Sequence, residues 1–150
     1  MSGIICAIRG GPSSQPTIEK AIALAHERNL HIYFVYVVNL DFMAYSSSTR
    51  LHTINDELEH LGEFILLTAK IKAEKTGVSA EGIIRHGDIR EEIITVCREH
   101  DANFVILGKP RREDEKDAFS DNRLEEFIKK IEQNTNAKVV LAEVNPNNEA

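Results

Sequence analysis

The sequence predicts a doubly wound α/β fold, a three-layer α/β/α arrangement. Its sheet is parallel and five-stranded, with helices on both faces. Two observations predict it. Apolar, β-prone runs alternate with amphipathic stretches along the whole 150 residues. The second run, "HIYFVYVV" at 31–38, shows no polar alternation, which marks an interior parallel strand covered on both faces. Regular strand–helix alternation then implies right-handed crossovers.

Each element follows in order. "GIICAI" (3–8) is a compact strand closed by Gly10, Gly11 and Pro12. Pro16 opens a helix that carries Ile18, Ala21, Ile22 and Ala25 on one face. After the second strand, "NLDFMAYSSSTR" (39–50) has no period and reads as a surface loop. Its Phe42, Met43 and Tyr45 either pack over a pocket rim or partner, or are incidental to a disordered loop. A long helix is predicted over 51–76, with Leu51, Ile54, Leu58, Leu61, Ile65 and Thr68 as its buried stripe and Gly77 as its stop.

"AEGIIRH" (80–86) is the third strand, and Asp88 is the expected N-cap of the next helix. Ile89, Ile93, Val96 and Cys97 form that helix's inner face. "NFVILG" (103–108) is the fourth strand. Asn122 with Glu125 resembles a capping box, opening a helix whose inner face is Leu124, Phe127, Ile128 and Ile131. "AKVVLAEV" (137–144) closes the sheet, and "NPNNEA" (145–150) is a polar tail. Residues 1–144 are expected to form a single domain, a typical size for one.

Composition excludes several classes. A net charge of -6 argues against a broad nucleic-acid surface, because duplex binding rests on neutralising phosphates. No apolar run approaches the roughly 20 residues that cross a bilayer, and the start lacks the form of a signal peptide. A cytoplasmic protein is expected, with neither nucleic-acid nor membrane partners. Cys6 and Cys97 each lie among apolar residues and read as small core hydrophobes.

In sheets of this kind ligands sit beyond the carboxyl ends of the strands, near the switch in strand order. Three turns lie there: Arg9–Ser14, Val38–Asp41, and the segment from Gly108. Between Gly108 and Phe119 this last segment carries eight charged residues. The candidate ligand-binding residues are therefore Arg9, Gly10, Gly11, Val38, Gly108, Lys109, Arg111 and Asn122. Arg9 is open to three readings: an anion contact, a salt bridge to the acidic loop, or an exposed strand-end arginine.

No catalytic residue is assigned. No Ser-His-Asp or Cys-His arrangement can be argued from spacing. His52, Asp56, Glu59 and His60 lie close together on the long helix, but read as a solvated face and not as a metal site. His86, at a strand end, either meets a ligand or caps a turn. A receiver domain is excluded, since its acidic positions here read "IRGG" and "IRHG".

The ordered set of turns carries a resemblance. "IICAIRGGPSSQPTIEKAIALAHERNLHIYFVYVV", "RHGDIREEIITVCREHDANFVILGK" and the closing "AKVVLAEV" resemble the universal stress protein family over nearly the whole chain, except 39–50 and 109–121. The resemblance implies a dimeric regulatory domain on a doubly wound sheet of five parallel strands, with the expected order 3-2-1-4-5, from a family with ATP-binding and non-ATP-binding branches. The ATP-binding pattern is similar to G-x2-G-x9-G-[S/T] after the fourth strand, with an acidic residue ending the first. Only Gly108 matches it. Arg111, Asp121 and Asn122 stand at the other loop positions, and Arg9 stands where the acid would be.

The resemblance is thus to the non-ATP-binding branch. It implies a non-enzymatic stress-response domain with a vestigial nucleotide pocket and no expected cofactor. Two alternatives are an ATP- or AMP-binding switch with weak ATPase activity, and a structural protein-interaction module without ligand. The expected partners are an unknown protein and a second copy, the latter paired through Val139, Val140 and Leu141 on the last strand, an edge strand in this order.

Overall fold

Successive residues of a strand face opposite sides of the sheet, so a strand with two apolar faces must be covered twice. The computed structural model builds such a sheet. It describes residues 3–9, 14–39, 48–108 and 121–142, leaving aside the side chains of 48–52 and 121–123. The elements run β1 (Gly3–Ala7), α1 (Gln15–Arg28), β2 (His31–Val38), α2 (Ser48–Lys75), β3 (Ala80–His86), α3 (Ile89–His100), β4 (Phe104–Gly108), α4 (Asp121–Asn134) and β5 (Lys138–Ala142). All pairings are parallel, in the predicted order β3-β2-β1-β4-β5.

Central β1 fixes the register. Ile4 lies beside Ile32 of β2 on one flank and Phe104 of β4 on the other. One face packs Ile4, Cys6, Phe34 and Ile106 against Ile18 and Ala21 of α1 and Leu66, Ala69 and Ala73 of α2. The opposite face packs Ile5, Val35 and Val105 against Ile93 and Val96 of α3 and Phe127 and Ile131 of α4. Each fully buried large side chain is worth about 1.5–3 kcal/mol, against about 0–1 for an exposed ion pair. The two cores therefore dominate the stability of the fold.

Helix ends follow local chemistry. Asp88 accepts from the Glu91 amide at 3.1 Å, the predicted N-cap. Asn29 and Asp101 close α1 and α3 in the left-handed region, which short polar side chains tolerate.

Three sequence expectations are corrected. α2 begins at Ser48, inside the expected 39–50 loop, and ends at Lys75. Its stripe is also misassigned: Leu61 and Thr68 are exposed, while Gly62, Leu66, Ala69 and Ala73 face the sheet. Gly62, Ala69 and Ala73 let the helix approach the sheet closely, and Leu66 fills the space that Gly82 of β3 leaves. α4 begins at Asp121, which puts Asn122 inside the first turn and not at the cap. Phe42, Met43, Tyr45 and the 145–150 tail lie outside the described residues.

Candidate functional site

The chain leaves β1 to build β2 and β3 on one side, then returns to place β4 on the other. The switch in strand order thus falls between β1 and β4, and their carboxyl ends frame a crevice. Gly108 ends β4 there, and Arg9 follows β1 as an exposed residue. The first turn of α1 closes the crevice floor, with Ser14 and Thr17 buried. A Cβ at Gly108 would lie 2.8 Å from the Thr17 hydroxyl, so Gly108 is required by this packing alone.

The N-termini along the rim differ. α3 presents Asp88 as its cap and Glu91 and Glu92 in its first turn, which satisfies its dipole with carboxylates. α1 has no acidic residue in its first turn and no side-chain cap bond from Ser14. Helix-end electrostatics therefore favour an anion beside α1 over one beside α3.

The remaining predicted residues divide. Val38 ends β2 with its side chain buried, and its carbonyl accepts the Gly87 amide at 3.0 Å. Gly10, Gly11, Lys109 and Arg111 lie outside the described residues, and Asn122 is placed only as the second residue of α4. His86 reaches back to α2, where its Nε2 meets Glu59 Oε1 at 2.6 Å. That engages Glu59, one of the two carboxylates of the helical His/Asp/Glu group, and no group of three or more His, Cys, Asp or Glu that could hold a metal ion occurs among the described residues.

One arrangement escaped the sequence. At the opposite, amino end of the sheet, His31 Nδ1 meets Ser79 Oγ at 2.7 Å while Nε2 meets Glu81 Oε2 at 3.0 Å. Ser79 and Glu81 are two apart along an extended chain, so both project to one side and bracket the ring. This is a hydroxyl–imidazole–carboxylate line, 48 and 50 residues apart in sequence. It lies on the surface, where it clips edge strand β3 to β2. Only the β2–β3 register reveals it.

The profile described as the universal stress protein family matches residues 1–132. The chain belongs to the universal stress protein family. Universal stress protein YxiE of Bacillus subtilis (strain 168) is 27% identical over 113 residues, spanning 70% of this chain and 76% of that protein. Universal stress protein UspA from Lactobacillus plantarum superposes with a TM-score of 0.74 at 12% identity, covering 94% of this chain and 97% of its own. An Arabidopsis thaliana family protein with AMP bound gives a TM-score of 0.63 at 15% identity, covering 100% and 96%. At such identities the structural likenesses speak for the fold.

This universal stress protein is thereby a stress-response protein with the family's α/β sheet. Among its described residues no helix is long and apolar enough to cross a membrane. Neither thiol is chemically poised. Burial alone pushes the Cys97 pKa from 9.0 up to about 12, and burial raises Cys6 as well. Both cysteines are buried and free of disulfides.

Proposed function

We propose that this protein is a non-enzymatic, cytoplasmic regulatory member of the universal stress protein family with a vestigial nucleotide pocket. Residues 1–144 act as one domain, and a second copy pairs through β5. The observation that carries this reading is the composition of the crevice between β1 and β4. Arg9 stands at the end of β1, and the family's glycine pattern after β4 keeps only Gly108. That glycine is already explained by Thr17. The sequence puts Arg111 at the second glycine position, where that pattern needs close backbone approach to phosphate, and Asp121, an acidic residue, at the third.

The β5 edge supports pairing with a qualification. Its outward Val139 amide donates to the Glu132 carboxylate at 3.1 Å. A second β5 must displace that carboxylate, which makes Glu132 a competitor for the edge.

A second reading, an AMP-binding switch, is favoured by the Arabidopsis relative that carries AMP. A monophosphate asks less of the loop than a triphosphate does, and Arg9, Lys109 and the acid-free start of α1 suit one anionic group. Calorimetric titration with ATP-Mg and AMP separates the readings. The vestigial pocket predicts no binding of either tighter than about 1 mM, roughly -4 kcal/mol. A micromolar AMP constant with ATP-Mg excluded selects the second reading, and a micromolar ATP-Mg constant overturns the first. Gly108→Ala is a poor control, because its Cβ strikes Thr17.

A further inference from the structure

The outward face of α2 carries a pattern that neither the β1–β4 crevice nor the core uses. Four large apolar side chains stand in solvent there: Leu61, Phe64, Leu67 and Ile71, at 49%, 67%, 55% and 46% exposure. The cause lies on the inner face. A Cβ at Gly82 of β3 would lie 2.9 Å from Leu66 Cβ, and one at Gly62 would lie 2.6 Å from the Tyr36 ring. The helix sits so close to the sheet that Gly62 and Gly82 make room for Tyr36 and Leu66 between them, while Leu61, Phe64, Leu67 and Ile71 stay outside that contact.

The exposed residues Glu57, Leu61, Phe64, Thr68, Ile71 and Lys75 follow steps of four, three, four, three and four. That is the 3.5-residue repeat of a two-helix seam. Their order is also symmetric about the level of residue 66. Charge, aliphatic and centre are followed by centre, aliphatic and opposite charge. An antiparallel copy of the same helix therefore sets Leu61 opposite Ile71, Phe64 opposite Thr68 with Leu67 beside them, and Glu57 opposite Lys75. Each two-fold contact repeats, so both ends of the seam carry a charge-matched pair. A different partner has no need of this self-complementary order.

We propose that α2 is a self-association face, pairing antiparallel with α2 of a second copy. The face lies on the β3 side of the sheet, away from β5, so it operates whether or not β5 also pairs. Association through both would build a chain or a closed tetramer.

Cysteine cross-linking tests the register in the full-length protein. Leu61→Cys combined with Ile71→Cys places the new thiols opposite each other across the seam. Within one helix they are ten residues, about 15 Å, apart and cannot join. The native thiols are buried. On mild oxidation the double variant should form a covalent dimer on a non-reducing gel, while Leu61→Cys alone should not. Adding Phe64→Glu should abolish the cross-link. In sedimentation, Glu57→Lys should weaken association about 10-fold, and Glu57→Lys with Lys75→Glu should restore it. Helical circular dichroism confirms folding of each surface variant. Absence of the cross-link, or its persistence with Phe64→Glu, overturns the proposal, as does a charge swap that fails to restore association.

Discussion

The two edge strands of this sheet are held in different ways. β3 is fixed by side chains. Glu81 and the adjacent Ser79 bracket His31, Arg85 pairs with Glu99 of α3, and His86 meets Glu59 of α2. α2 presses against it at Gly82. β5 is shorter, with partly buried Val139, Val140 and Leu141. Besides its ladder to β4, its outward edge is met at Val139 by the Glu132 carboxylate. An edge held by several side chains and a helix is costly to open, whereas one guarded, among the described residues, by a single carboxylate can exchange it for another strand. β5 is therefore the proposed strand edge for a second copy, and the β3 side the proposed helix face.

The bluntest way to break the comparison is to remove the core both edges share. Above pH 9 the unfolded chain releases its thiol protons while the folded chain keeps them, because burial raises both cysteines. Their contribution is full below pH 9 and is lost as pH climbs toward 12. By pH 11 Cys97 alone should remove on the order of 3 kcal/mol. Urea titrations across pH 8–11 check this. Hydrogen exchange should show β3 and β5 weakening together, and edges that weaken at different pH would break the shared-core premise.

Next in size is the fit of α2 on β3. Gly82→Ala drives a Cβ against Leu66 Cβ, an atom next to the backbone that cannot swing away. Overpacking of this kind costs about 2 kcal/mol, readable from the urea midpoint. An unchanged midpoint would mean that α2 shifts freely and that the β3 edge is loosely held.

Glu132→Ala sharpens the β5 side. It removes a hydrogen bond to Val139 worth about 1 kcal/mol within the chain. It also frees the edge, so self-association should tighten by up to about 10-fold if β5 pairs, as read by sedimentation. Loss of stability without tighter association would leave β5 as a monomeric edge.

The smallest effect belongs to the Ser79–His31–Glu81 clip. Ser79→Ala should cost about 0.5 kcal/mol, because the site is exposed and water replaces the bond. The protein should show no esterase activity that depends on Ser79, tested with an activated ester.

Local patterns were read well wherever one physical period applied. The uninterrupted apolar run of β2 announced an interior strand, and Asp88 announced its helix. Alternation and handedness announced a parallel, doubly wound sheet, and the resemblance supplied its order. α2 was harder, because Leu and Phe occur around its whole circumference and periodicity alone cannot say which stripe is inward. Asn122 was one residue past the true helix start, as caps depend on backbone angles more than on residue type.

The candidate site divides along the same line. Gly108 was legible as a strand-end glycine, yet its contact with Thr17 needed the packing of α1 against β4. His31, Ser79 and Glu81 are unremarkable as separate letters and become a hydrogen-bonded line only when β2 and β3 register. Sequence by itself determined the alternation, the apolar faces and the depleted glycine pattern, because those depend on residues near one another in the chain. Tertiary structure alone decided which face of α2 is open, which glycine is crowded and which edge is guarded. Those depend on distances between segments, set by side-chain volumes at each interface and not by any local period.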